Sequence, residues 1–317
     1  MNRKHQILIL LILITITLIS CGPPPPRNAG QPSTQNQSTA TALPTNTQPA
    51  TDKSLSEAVP PTNTPMTEAS TEQSLPRQSN DCPGNQFVDP TGTDLEMTIT
   101  CTDEHIVIVS NNMPSLSVPG RSGPDEKTYR IPRYPQLTSE ITALPKLDTI
   151  GVSVNGIQLH GPNGAEFDGY PDPIHEQMVI FCNGHHFVRN IFHFHGRPDC
   201  ILSQLIDNPE DVTQQVGVVL GYAFDGFPIL SPYVCADEAC TTVTKLQSSW
   251  QRVADVTDAW QANTFVDGSG DLDQCNGRLA EDGTYAYYAT DTFPYFLGCY
   301  SGIVETNNPN PRLSGRR

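Results

Sequence analysis

The sequence predicts a mainly β domain, a β-sandwich or barrel-like fold held by disulfides, behind a long polar lead-in. Three observations carry this expectation. Two segments, "GVSVNGIQLHGP" (151–162) and "GYAFDGFPILSP" (221–232), read as hairpins in the same frame. Each is followed downstream by a strand dense in aromatics, "FHFH" (192–195) and "YAYY" (285–288). Residues 81–302 carry an even set of eight cysteines.

The N-terminus sets the expected location. Arg3 and Lys4 precede an apolar run from Ile7 to Ile19, broken only by Thr15 and Thr17. A membrane-spanning helix needs about 20 apolar residues, so residues 1–20 read as a signal peptide. Leu18-Ile19-Ser20-Cys21 resembles a bacterial lipobox. That resemblance implies cleavage before Cys21 and lipidation of that cysteine, palmitate included. Gly22 carries no acidic retention signal, so the expected site is the outward face of a cell envelope, reached through a lipid anchor in the membrane. Residues 21–80 are Pro, Thr, Ser, Gln and Asn with few large apolar side chains. Such a chain buries too little apolar surface to offset its ordering entropy and reads as a disordered tether. Its r.m.s. reach is roughly 40–45 Å.

The folded part is expected over 81–302, with a polar tail at 303–317. His105–Ser110, "HIVIVS", alternates as a half-buried strand does. In the hairpins, Asn155-Gly156 and Asp225-Gly226 tolerate the positive φ of a two-residue type I′ turn. The order hairpin, loop, aromatic strand therefore occurs twice, as in a diverged internal duplication. Repeated hairpins with Gly/Pro punctuation argue for a sandwich or barrel. Ser248–Ala262, with Trp250 and Trp260, is expected to hold a short helix.

Cys82, Cys101, Cys182, Cys200, Cys235, Cys240, Cys275 and Cys299 remain once Cys21 is set aside. Outside the cytoplasm an even set reads as disulfides. Eight cysteines allow 105 pairings. The sequential one, 82–101, 182–200, 235–240 and 275–299, closes only short loops and is the expectation. Each bridge would add about 2–4 kcal/mol by restricting the unfolded chain.

Acidic residues number 34 against 18 basic ones, a net charge of −16. That balance argues against nucleic acid as a partner and suits a metal ion or a cationic extracellular ligand. "GHHFVRNIFHFHG" (184–196) holds four of the eight histidines. On a strand, residues i and i+2 share a face, so His193 and His195 point together and Phe192 and Phe194 point the other way. The imidazoles would stand about 6–7 Å apart, a spacing from which both can reach one ion. His185, after the flexible Gly184, is the expected third ligand, with His186 and His160 as further candidates. His175 is a further candidate that, taken singly, reads as an ordinary histidine. Neutral imidazole favours Cu or Zn over hard cations. Asp267, Asp271 and Asp273 in "DGSGDLDQCNG" form a weaker candidate for Ca, off the EF-hand spacing.

Three functional readings follow. In the first, the histidines bind a transition metal at the cell surface, with affinity fading below about pH 6 as imidazole protonates. In the second, the metal keeps an open position for catalysis, with Glu176 or Asp199 as base. In the third, the histidines are packing residues of an interaction or structural domain.

The pieces "NGIQLHGP", "CNGHHFVRNIFHFHGRPDC", "LGYAFDGFPILSPY" and "LDQCNGRLAEDGTYAYYATDTFPYFLGCYSG" stand in order between Gly151 and Gly302. In them the chain resembles the YHYH domain family of secreted and lipid-anchored proteins. The family's Tyr-His-Tyr-His falls on Phe192, His193, Phe194 and His195. Both imidazoles are kept and both phenols lost, which implies that the imidazoles are the working groups. Its Gly-Gly-His falls on Asn183, Gly184 and His185, and the tyrosine of its first hairpin on His160. Residues 81–150 would be the β-rich lead-in of the same domain.

Overall fold

The two hairpins lie side by side at the centre of one eight-stranded sheet. A computed structural model describes residues 79–82, 86–186 and 190–309. The leader, Cys21, the tether up to residue 78 and the end of the tail lie outside the described residues. Among the described residues no helix is long and apolar enough to cross a membrane.

Along the chain, β1 (Met97–Cys101), β2 (His105–Ser110) and β3 (Lys127–Pro132) form an antiparallel three-stranded sheet. β4 (Leu137–Ala143) leads to the first hairpin, β5 (Thr149–Ser153) and β6 (Gln158–His160). β7 (Gly184–His186) and β8 (Phe192–Phe194) follow. The second hairpin is β9 (Val219–Ala223) and β10 (Pro228–Leu230). Two ribbons come next, β11 (Tyr233–Cys235) with β12 (Val243–Lys245), and β13 (Trp250–Arg252) with β14 (Asn263–Phe265). β15 (Gly277–Leu279) and β16 (Tyr285–Tyr288) rejoin the large sheet, and β17 (Cys299–Gly302) pairs back onto β4.

The large sheet repeats itself about its centre. From the antiparallel β5–β9 contact outward, one side runs β5, β6, β8, β7 and the other β9, β10, β16, β15. Each side is an antiparallel hairpin, then a parallel pair, then an antiparallel pair. The registers agree: Leu159 faces Phe194 where Ile229 faces Tyr287, and Gly184 faces Phe194 where Gly277 faces Tyr287. Backbone bonds across the centre are reciprocal, Val154 N to Leu220 O at 3.0 Å and Phe224 N to Ile150 O at 3.2 Å. Both halves carry Cys-Asn-Gly before the antiparallel pair, at 182–184 and 275–277, with the cysteine bridged to Cys200 and Cys299 respectively.

All four expected disulfides are present, with Cα–Cα separations of 6.2, 5.7, 4.7 and 4.5 Å. Three expectations need correction. The hairpins do not turn on type I′ pairs. Gly156 (φ +73) and Gly226 (φ +91) are left-handed, but Asn155 and Asp225 are not among the positive-φ residues. Ser153 bonds both Gly156 N and Ile157 O, the pattern of a three-residue loop with a glycine bulge. The helix expected over 248–262 shrinks to α1 (Ala259–Ala262), capped by Asp258, because Trp250–Arg252 pairs with Asn263–Phe265 instead. No sheet among the described residues closes into a barrel or sandwich. The large sheet stays open, with β15 and β7 as its outer strands.

The main core joins the two sheets. Ile106, Ile108, Tyr129 and Ile131 of the small sheet share one buried cluster with Ile150, Val152, Leu159, Phe192, Phe194 and Tyr287 of the large one. Burying each such side chain stabilises by about 1.5–3 kcal/mol. This packing fixes β6 and β8, the strands that carry the site.

Candidate metal centre

β6 and β8 run parallel with Gln158 opposite His193 and Leu159 opposite Phe194. That register carries His160, at the end of β6, alongside His195, the residue just past β8. Asn183, left-handed at φ +54, a conformation asparagine tolerates, accepts His195 N at 2.8 Å. Asn112, also left-handed and buried, clamps the two strands together. Its amide donates to Phe192 O at 2.7 Å and its carbonyl accepts Gln158 N at 3.0 Å.

His160, His193 and His195 converge. One ring nitrogen from each lies within 4.8 Å of the others, and among the described residues this is the group able to hold a metal ion. His193 Nε2 and His195 Nε2 are 3.1 Å apart, closer than the spacing expected of strand neighbours, because His195 sits beyond the regular end of β8. Their Nδ1 atoms face backbone carbonyls, Ile191 O at 3.4 Å and Gly161 O at 2.8 Å. A carbonyl only accepts, so the close Gly161 contact puts the hydrogen of His195 on Nδ1 and a lone pair on its Nε2, which faces His193 Nε2 across the 3.1 Å contact. Carbonyl partners of this kind orient metal-ligating histidines.

His185 is beside the cluster rather than in it. Its ring meets those of His193 and His195 edge-on, at centroid distances of 4.8 and 5.0 Å, while its Nδ1 donates to Met178 O at 3.1 Å. The third member is thus His160, not His185. Only the long-range β6–β8 pairing makes that choice. His186 turns aside, with Nε2 2.9 Å from Ser122 Oγ and its ring against Phe192.

Burial sets the charge state. Burial and the neighbouring imidazoles push the His160 pKa down to about 3, and hold those of His193 and His195 well below the ordinary imidazole value. Burial also lowers His185 and His186. The rings are therefore neutral and ligand-ready at neutral pH. They line one side of a cavity of about 680 Å³ whose other walls include Leu147, Met178, Asp148, Glu166 and Asp168, with Phe167 at its mouth.

A family model described as "YHYH protein" matches residues 128–302. The chain belongs to the YHYH protein family. No curated protein and no solved structure matches it. The match runs from β3 to β17 and so takes in strands upstream of Gly151.

Only one half of the YHYH sheet carries the cluster. By strand register, the counterparts of His160, His193 and His195 are Leu230, Ala286 and Tyr288. These three pack with Leu246 and Leu272 in a small apolar cluster. His185 is matched by Arg278. The second half keeps the scaffold and fills the hollow with hydrocarbon.

Other residues singled out in the sequence lie elsewhere. Asp199 is held by Arg197 at 2.6 and 2.9 Å, and Glu176 is exposed and does not line the cavity. Neither is placed to act as a base at the imidazoles. Nor do the three aspartates converge into a calcium site. Asp273 accepts Cys275 N, Gly277 N and Tyr285 OH, Asp271 accepts Gln247 N, and Asp267 is exposed. The carboxylates that do line the cavity, Asp148, Glu166 and Asp168, and the clamp Asn112 carry no local motif that would have singled them out.

At Gly184, β7 comes close against β8. A Cβ there would lie 2.6 Å from both His193 O and the Phe192 ring. Gly184→Ala is expected to destabilise the fold by about 1–3 kcal/mol in chemical denaturation, and to weaken metal binding by displacing His193.

Proposed function

We propose that this YHYH domain binds one transition-metal ion, Cu²⁺ or Zn²⁺, through His160, His193 and His195. The domain is held at the outward face of a cell envelope by a lipid on Cys21 and the tether at 21–80. One observation carries the metal reading. The Nε2 atoms of His193 and His195 face each other at 3.1 Å, with the Nδ1 of each turned to a backbone carbonyl. A cation shared by the two nitrogens would replace that contact with two metal–nitrogen bonds. Nitrogens at that separation, each about 2.0–2.1 Å from an ion, subtend roughly 100°, which suits neighbouring ligands in a tetrahedral shell. An all-imidazole set selects Cu²⁺ or Zn²⁺ rather than Ca²⁺ or Mg²⁺.

Added metal is the direct test. A ligand at 100 times its Kd stabilises a fold by about 2.7 kcal/mol, so Zn²⁺ or Cu²⁺ should raise the melting temperature by several degrees and a chelator should reverse it. A melting curve indifferent to both would favour a structural or interaction domain without metal. The depressed imidazole pKa values also move the acid limit of binding. Protons begin to compete only below them, so affinity is expected to persist at pH 5.5 rather than fade near pH 6, as titrations at pH 7.5 and 5.5 would reveal.

A second reading, a metal-dependent extracellular enzyme, is favoured by the cavity. Three protein ligands with a fourth side open is the pattern of catalytic zinc sites, and His185, its Nδ1 committed to Met178 O, adds a further imidazole edge-on to them in the cavity wall. Azide added to Co²⁺-substituted protein should shift its visible absorption if that side is open to a small molecule. An unchanged spectrum would mean a closed centre.

A further inference from the structure

The third ligand is set by a hydrogen-bond chain that starts outside the matched family segment. Asp125, in the loop before β3, takes Lys127 Nζ on one oxygen at 3.0 Å and Gln158 Nε2 on the other at 3.2 Å. An ionised carboxylate only accepts hydrogen bonds. The amide of Gln158 must therefore turn its NH₂ toward Asp125 and its carbonyl the other way. That carbonyl receives Thr149 Oγ1 at 2.9 Å and faces His160 Nε2 at 3.2 Å. A carbonyl cannot donate, so the hydrogen between them belongs to His160 Nε2. The lone pair of His160 is then on Nδ1. For His195 the carbonyl of Gly161, 2.8 Å from Nδ1, imposes the opposite tautomer, and Ile191 O faces Nδ1 of His193 at 3.4 Å.

We propose that the site binds its ion through a mixed donor set, Nδ1 of His160 with Nε2 of His193 and His195, and that Gln158, oriented by Asp125, is the positioning residue that imposes it. The chain Asp125–Gln158–His160 plays for the third ligand the part that Ile191 O and Gly161 O play for the other two. It also explains why the loop before β3 belongs with the site. Asn112 clamps the ligand strands and Ser122 holds His186 aside, so three side chains of this loop bear on the imidazoles. The inference rests on the metal reading above for the identity of the donors, but its tautomer statement can be read without metal.

The test is nuclear magnetic resonance on ¹⁵N-labelled protein, before and after adding Zn²⁺. Long-range ¹H–¹⁵N correlations distinguish the two imidazole tautomers. Wild-type protein should show the hydrogen on Nε2 at His160 and on Nδ1 at His195, in both states. Gln158→Leu removes the acceptor and should release the His160 tautomer. It should also lower Zn²⁺ affinity about 10–100-fold, the usual effect of losing such an outer partner. Asp125→Asn is the gentler variant, since it lets the amide turn over without opening a buried gap. It should give mixed tautomers at His160. A hydrogen on Nδ1 of His160 in wild-type protein would overturn the assignment whatever the metal does. So would a Gln158→Leu protein with unchanged tautomer and affinity. Expected tautomers without any Zn²⁺ or Cu²⁺ uptake would instead bring down the metal reading, and the donor set with it, while leaving the hydrogen-bond assignment intact.

Discussion

Metal analysis of the purified wild-type protein is expected to return about one transition-metal ion per chain, and of the His193→Ala/His195→Ala variant essentially none. The two imidazoles supply two of the three converging nitrogens. Loss of an outer-shell partner alone costs 10–100-fold in affinity, so removing two direct ligands should cost at least about 10⁴-fold. Among the described residues the sheet's repeat supplies one such site. Leu230, Ala286 and Tyr288 occupy the matching places in the second half, packed with Leu246 and Leu272, and offer no nitrogen. Arg278→Ala, at the counterpart of His185, should leave metal content unchanged and serves as the control. Equal metal in wild type and the double variant would end the metal reading.

The metal-free protein is expected to lose stability steeply as pH falls below about 6.5. The pKa values of His160, His193 and His195 are all held low by burial, that of His160 at about 3, while the unfolded chain returns each to 6.5. Between the folded and unfolded values the unfolded state binds more protons, so stability rises with pH and is lost on acidification. Each histidine contributes a slope of up to about 1.4 kcal/mol per pH unit. Asp225 works the other way. Burial raises its pKa to about 6, although Tyr287 OH and Gly302 N donate to it. Its contribution is lost as pH rises from about 4 to 6, and one carboxyl only partly offsets three imidazoles. Urea denaturation of metal-free protein from pH 7.5 to 4.5 should show the decline. The His193→Ala/His195→Ala variant should show a shallower one. Equal slopes would mean that these rings are solvated in the native state.

Much of this architecture is legible in residues. Asn-Gly and Asp-Gly mark the hairpins because only a turn needs a left-handed glycine there. The short cysteine spacings point to the sequential bridges. His193 and His195 are recognisable as a pair from their i, i+2 spacing alone. The turn type is not legible, since one more residue joins the loop without changing the motif. Trp250 shows the limit of local pattern: its segment looks helical until Phe265 arrives as its strand partner.

By itself, then, the sequence determined the β class, the repeated order of elements, the cysteine pairs and two of the three converging imidazoles, because each follows from residues close together in the chain. Only the tertiary structure decided that His160 rather than His185 completes the set, that the sheet stays open, and that Asp125 and Gln158 orient a ligand. Those outcomes depend on parallel pairing between strands far apart in sequence, whose register is chosen by the packing of the shared core.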